Sequence, residues 1–404
     1  MKPDICLYFQ VHQPYRLRRF RVFDVGTGKD YFDERRNREI LCKVAEKCYR
    51  PANQLLLKLV QRSQGHFRVA FSLSGVVLEQ LATAAPDVLY SFQELVASGA
   101  VELLGETYEH SLASLTNTEE FVAQVERHSL LIQRLFGQRP RIFRNTELIY
   151  SDDLAPLIDR MGFKAVLVEG AQRALDWRSP NHVYEAVSLP GLKLLPRNYS
   201  LSDDVGFRFS ERSWSGWPLK ADTFARWIAD SPGQSVHLFL DYETFGEHQW
   251  KETGIFEFVE HFVAQAARER LAFVHPSTLA LRQAQGPLSF PTPTSWADVE
   301  RDTSAWLGNR LQRAAHKRLY RLRPQIIASG DAQLVQDWRR LSTSDHFYYM
   351  CTKWFADGDV HKYFNPYDSP YDAFITFMNV VQDLEGRVED GVMNGAHPEA
   401  HLVG

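Results

Sequence analysis

Apolar residues recur along this chain in two rhythms. Short apolar runs bounded by polar or turn residues alternate with longer stretches in which apolar positions return every three or four residues. The first rhythm predicts strands and the second helices. Strands are predicted over residues 5–11, 67–73, 101–104, 142–144, 164–168, 236–240 and 271–274. Helices are predicted over 51–63, 86–98, 118–136, 151–161 and 256–269, with Gly99, Gly137 and Gly162 closing three of them. Strand and helix repeated in this order imply parallel strands joined by crossover helices. Seven such strands suit a closed or nearly closed α/β barrel.

Residues 283–295 interrupt the pattern with three prolines and one glycine, and read as a linker or surface loop. Beyond them, 298–323, 332–341 and 372–388 read as helices. A second, mainly helical unit therefore begins near residue 290, and the last residues read as a loose tail.

Composition narrows the function classes. With 404 residues, 44% of them hydrophobic, the chain can bury a core without disulfide or metal staples. Its 46 basic and 50 acidic residues leave a net charge of −4, which excludes a mainly electrostatic nucleic-acid binder. The four cysteines form no CxxC pair, so neither a disulfide framework nor a zinc ribbon is expected. The first residues do not read as a signal peptide, and no run of about 18 apolar residues could span a membrane. A cytoplasmic protein without a membrane partner is expected. Aromatic residues make up 13% of the chain, enough to leave some for stacking on ring-shaped ligands.

In a parallel α/β barrel the reactive side chains follow the carboxyl ends of the strands. The first predicted strand runs into His12-Gln13-Pro14. The third holds Glu102 among apolar neighbours, where an unpartnered carboxylate is costly. Glu106, Tyr108, Glu109 and His110 follow it and read as loop residues. The fourth runs into Arg144-Asn145-Thr146-Glu147, after which Ser151 opens a helix whose first turn accounts for Asp152 and Asp153. The run 236–240 ends in Asp241 and Glu243, spaced so that a continuing strand turns both to one side. Two carboxylates on separated strands suit glycoside hydrolysis, one as nucleophile and the other as general acid. His12, His110, Asp241 and His248 offer an alternative set for a divalent metal, as in a barrel deacetylase. No tight HxH or HxxxH pair supports it, and no metal or other cofactor is expected.

Five regions, in order, carry a family resemblance. They are His12-Gln13-Pro14; Gly99-Ala100-Val101-Glu102-Leu103; Thr146-Glu147-Leu148; Asp241-Tyr242-Glu243-Thr244-Phe245-Gly246; and Ser344-Asp345-His346-Phe347-Tyr348-Tyr349. The sequence resembles glycoside hydrolase family 57, in its α-amylase and α-amylase-like group, over roughly residues 5–380. It departs from the usual pattern at Ala100, where the family more often has Gln. The resemblance implies an incomplete (β/α)7 pseudo-TIM barrel over residues 1–285 and a mainly helical domain over 286–390 that completes the cleft, with a tail over 391–404. It implies a retaining mechanism on α-glucans or maltooligosaccharides without a catalytic metal. Glu147 would be the nucleophile and Asp241 the acid/base, and His12, Glu102, Glu243, Asp345 and Tyr348 would line the sugar subsites.

The neighbouring residues agree with those roles. Arg144 and Asn145 precede Glu147, and a cation or amide donor there would keep it ionised. Phe239, Tyr242 and Phe245 give Asp241 apolar surroundings that favour its protonated form. Trp296, Trp306 and Trp354 are candidates for stacking on sugars, and the aromatic, turn-rich run 361–371 for a cleft wall. Three functions share these features: hydrolysis of α-1,4-glucans, glucan transfer by a 4-α-glucanotransferase or branching enzyme, and glucan binding by a protein with vestigial acids.

Overall fold

The computed structural model describes residues 2–353 and 365–395, the last five by backbone alone. Nine strands are present among them: β1 (Asp4–Val11), β2 (Val69–Leu73), β3 (Val101–Leu103), β4 (Ile142–Arg144), β5 (Ala165–Glu169), β6 (Tyr184–Ala186), β7 (Leu189–Arg197), β8 (Ser235–Asp241) and β9 (Pro287–Leu288). They form two sheets, ordered β3-β2-β1-β8 and β4-β5-β7-β6-β9. The first is parallel throughout, and so are β4, β5 and β7 in the second. One seam between the sheets is a parallel bridge from Gly105 to Phe143. At the other, the Asn198 amide donates to His237 O at 2.9 Å and Arg197 Nε to Phe239 O at 2.9 Å. Seven strands thus ring a common interior in a (β/α)7 barrel-like fold.

The pleat explains the burial. Along β1 the odd positions Ile5, Leu7, Phe9 and Val11 pack outward with Val69, Phe71 and Leu73 under the helical layer. Cys6 and Tyr8 point inward and meet Ala70, Leu104, Ile142, Leu167, Leu195 and Phe239 inside the ring. Both faces are covered, which is why these strands read as continuous apolar runs.

Two sequence expectations change. The seventh barrel strand is β7, not residues 271–274, which contribute only a bridge between Phe273 and Ile5. Pro190, Gly191 and Pro196 disguise β7 in the sequence, yet Pro196 pairs in register with Val168. The Pro-rich segment is also less loose than predicted. Asp152 accepts the Phe290 amide at 3.0 Å, and Tyr150 and Thr294 form an antiparallel bridge.

The helical region comprises Ser304–Leu307, Arg310–Arg321, Arg323–Ala328, Ala332–Leu341, Ser344–Tyr348 and Pro370–Gly395. Ala332–Leu341 begins where Asp331 accepts the Gln333 and Leu334 amides, an N-cap. This region shares one core with the barrel. Phe143, Tyr150 and Phe163 from the β4–β5 side join Trp306, Trp338, Phe347 and Phe377 in a single buried cluster.

Candidate active site

The carboxyl ends of β1, β4 and β8 and the helix Ser344–Tyr348 converge on one cavity. His12, Glu147, Asp241, Glu243 and Asp345 all line it, together with Gln10, Gln13, Pro14, Arg16, His110, His248 and Tyr349. Its free volume is about 60 Å³. That is room for about two waters, and well below the few hundred Å³ of a typical ligand pocket. A larger groove, of about 1030 Å³, opens at the opposite end of the strands between helices Arg50–Arg62 and Ile255–Arg268, and it holds none of the predicted acids.

Glu147 sits in a single turn, Thr146–Leu148, directly after β4. Its backbone is left-handed, with φ 57°, and Leu148 follows with φ 54°. Each such non-glycine residue costs about 1–3 kcal/mol, so surrounding bonds must hold the turn. They do. Asn145 Nδ2 donates to Ile149 O at 2.8 Å, the Thr146 and Thr107 hydroxyls pair at 2.8 Å, and the Trp296 amide donates to Glu147 O at 3.1 Å. The carboxylate is held at both oxygens. Trp296 Nε1 donates to Oε2 at 2.6 Å, and His110 Nε2 lies 3.2 Å from Oε1.

His110 is the electrostatic centre of the site. Its Nδ1 is 3.0 Å from Glu106 Oε2, so its two nitrogens face two carboxylates. Burial alone pushes the imidazole down, but the hydrogen bonds and charges of Glu106 and Glu147 outweigh it and raise His110 to about 9. An imidazolium at neutral pH donates to both acids. Burial pushes Glu106 up, and the His110 bond, with the charges of His110, His128 and Arg144, more than reverses that. His12 stacks on His110 with ring centroids 4.1 Å apart. Burial and the His110 charge hold His12 below its ordinary value, against the pull of Asp345. One ring of the stack is therefore charged and the other neutral. The neutral ring bridges Ser74 Oγ at 2.7 Å and Asp345 Oδ2 at 3.0 Å, which ties the barrel to the helical region.

Asp241 is the last residue of β8, in register with Gln10. The turn Tyr242–Thr244 then brings Glu243 back to the same cavity. Glu243 accepts from Tyr49 Oη at 2.5 Å and from Gln13 Nε2 at 3.5 Å. Burial and the neighbouring Asp241 charge raise it to about 8. Tyr242 points the other way, into the rings of Phe9 and Phe71, and its hydroxyl donates to Asn53 Oδ1 at 2.6 Å. Gly246 lets the loop close back. Its φ is +106° and an added Cβ would lie 2.0 Å from Lys47 O, so no other residue fits there.

With this geometry in view, comparison with known proteins is decisive. The model of glycosyl hydrolase family 57 matches residues 6–287. The chain belongs to glycosyl hydrolase family 57. A relative from Methanocaldococcus jannaschii, named "Putative alpha-amylase", is 42% identical over 401 residues, covering 96% of this chain and 85% of its own. Among solved structures, a 4-alpha-glucanotransferase from Thermococcus litoralis superposes with a TM-score of 0.70 at 14% identity, over 95% of this chain and 59% of that one. The chain thus spans well under two thirds of that glucanotransferase. A GH57-type branching enzyme from Pyrococcus horikoshii gives 0.69 at 17% identity, over 98% and 92% of the two chains. At these identities the superpositions speak for the fold, and family membership makes the chain a glycoside hydrolase.

The family 57 site differs from the sequence reading in several places. Glu102 does not join the cavity. It faces inward at the level of Ala70, low in the barrel, where its Oε2 accepts the Ser277 amide at 3.0 Å. Glu106, four residues on and past the end of β3, reaches the site instead through its bond to His110 and does not itself line the cavity. Tyr348 packs near Trp306, with centroids 6.3 Å apart, and Tyr349 lines the cavity instead. Trp306 is core. Trp296 grips Glu147 and lies between the guanidiniums of Arg144 and Arg197, 4.8 and 5.6 Å from its rings. Arg144 does not reach Glu147. It is fully buried beneath Trp296, and its nitrogens have no hydrogen-bond partner among the described residues. Trp354 and residues 361–364 of the aromatic run lie outside the described residues. Among the described residues no group of three or more His, Cys, Asp or Glu is arranged to hold a metal, and no helix is long and apolar enough to cross a membrane.

Proposed function

We propose that this family 57 enzyme is a retaining hydrolase of α-1,4-glucans, of α-amylase type, acting through a covalent glycosyl-enzyme. The observation that carries the reading is the seat of Glu147. It is a rim carboxylate with a donor on each oxygen, sharing one cavity with Asp241. Donors from Trp296 and His110 favour the ionised form that a nucleophile needs.

In the first step Glu147 attacks the anomeric carbon while Asp241 protonates the departing glycosidic oxygen. In the second, Asp241 takes a proton from water, which releases the sugar with net retention. The first step needs a proton on Asp241, and Glu243, protonated into neutral pH in the same cavity, is its source. Glu243 keeps its proton because its burial, and then the Asp241 charge, disfavour the ionised form. Retention calls for about 5–5.5 Å between the carboxyls of Glu147 and Asp241, against roughly 6.5–9.5 Å for inversion. The small cavity means that a glucosyl ring enters only as the surrounding side chains part. His12, Glu243, Asp345 and Tyr349 then meet the sugar hydroxyls.

Maltoheptaose digestion tests the reading. The wild type should release shorter maltooligosaccharides, and Glu147→Gln should lose several orders of magnitude in turnover while keeping its fold. Longer products would assign the same site to glucan transfer. Near-normal turnover by Glu147→Gln would remove the nucleophile assignment.

A further inference from the structure

Between helix Tyr199–Gly206 and helix Ala221–Asp230 the chain makes an excursion that crosses from β7 to β8. Two successive turns fold it tightly. The Trp214 amide donates to Glu211 O at 3.1 Å and the Trp217 amide to Trp214 O at 3.0 Å. Gly216 lies flat on the Trp214 ring, and a Cβ there would come within 2.6 Å of it. The turns carry Trp214 and Trp217, and the helix that follows carries Trp227. Trp214 meets Trp227, from helix Ala221–Asp230, edge to face, with centroids 6.3 Å apart and planes at 76°. Trp217 stays 43% exposed and Trp227 37% exposed.

Two arginines frame these rings. Arg208 lies 5.7 Å from the Trp214 ring and is anchored to Asp204 at 2.7 Å. Arg212 lies 5.8 Å from the Trp217 ring and has no carboxylate partner among the described residues. None of these residues lines the cavity that holds Glu147 and Asp241.

Exposed indole is costly to leave in water, and a ligand that covers the open part of these rings gains by it. A cover must match apolar faces bordered by unspent N–H donors. A pyranose ring does so: its C–H face packs on indole and its equatorial hydroxyls accept from guanidinium. An anionic polymer fits less well in a chain of net charge −4, where Glu211 flanks the turns and Asp222 is already paired with Arg226. A stable protein partner would need about 800 Å² per side, more than three part-buried indoles offer.

We propose that Trp214, Trp217 and Trp227, with Arg208 and Arg212, form a second glucan-binding surface on the excursion between β7 and β8, beyond the residues that line the catalytic cavity. It would hold a polymeric α-glucan near the enzyme while the cavity works on a chain end or segment. The proposal rests on the α-glucan reading of the active site.

The test is affinity electrophoresis through gels containing soluble starch, with turnover of maltotriose measured in parallel. Wild type should be retarded by starch. Trp217→Ala should weaken retention at least fivefold, Arg212→Ala should weaken it less, and Trp217→Phe should restore most of it. All three should melt and turn over maltotriose like the wild type. Retention of Trp217→Ala and Arg212→Ala equal to wild type would overturn the surface, as would absence of retardation of the wild type. An equal loss on starch and maltotriose would place the indoles in the active cleft and overturn a separate site. Glu147→Gln separates the two claims. Retention without turnover is expected of it, whereas a wild type that binds starch but never cleaves it would leave the surface standing and refute the proposed activity.

Discussion

Trp296 and Glu147 are bonded twice. The Trp296 amide donates to the Glu147 carbonyl at 3.1 Å and the indole Nε1 to Glu147 Oε2 at 2.6 Å. The first bond steadies a backbone turn that a glutamate alone would not choose. The second aims and charges the carboxylate. Because Trp296 lies beyond the Pro-rich segment, the route from barrel to helical region runs over the proposed nucleophile.

Trp296→Phe keeps a ring between Arg144 and Arg197 and removes only the N–H. A hydrogen bond to a charged group is worth about 1.5–3 kcal/mol, so kcat should fall about 10- to 100-fold. The acid limb of the kcat/KM profile should move to higher pH, because the ionised form of Glu147 loses a donor. A kcat within twofold of wild type and an unmoved acid limb would count against this role.

Glu243 makes the fold pH-sensitive in a definite direction. Its folded value, about 8, lies above that of a free glutamate, so between pH 4.5 and 8 the folded state binds the extra proton. Stability from this group is therefore complete below pH 4.5 and is lost as pH rises toward 8. Glu243→Gln cannot ionise. Relative to wild type its stability should climb across that window, by on the order of a few kcal/mol at most, and its melting temperature with it. Parallel melting curves for the two proteins from pH 5 to 8.5 would refute the assignment.

Legibility in the sequence followed local pattern. Glu147 and Asp241 each close an apolar run, so strand ends marked them. Helix 118–136 was readable because Gly137 ends it, and the structure puts that glycine in the left-handed region. Glu106 was hidden by parity. Residues 102, 104 and 106 share one side, and no local signal says how far up the barrel that side becomes the rim. β7 was hidden because its prolines look like breakers until a partner strand is known. The role of Trp296 could not be read at all, since it depends on a contact 149 residues away. The left-handed φ of His110 and Glu147 likewise comes from tertiary bonds overriding local preference.

The barrel and the helical region should not separate. A fragment of residues 1–295 lacks Trp296 and Asp345 and uncovers the side of the shared core around Phe143 and Tyr150. It should aggregate or lose glucan binding. A soluble monomeric fragment with full activity would show that the helical region is dispensable.

The central claim is that Glu147 attacks the sugar. The most direct measurement is peptide mass spectrometry after incubation with a fluorinated α-glucosyl fluoride, which forms the glycosyl-enzyme faster than water resolves it. The account predicts one sugar per chain, esterified to Glu147 and released on longer incubation. A label on Asp241, Glu243 or Glu106, or no label while the substrate is turned over with inversion, would contradict it.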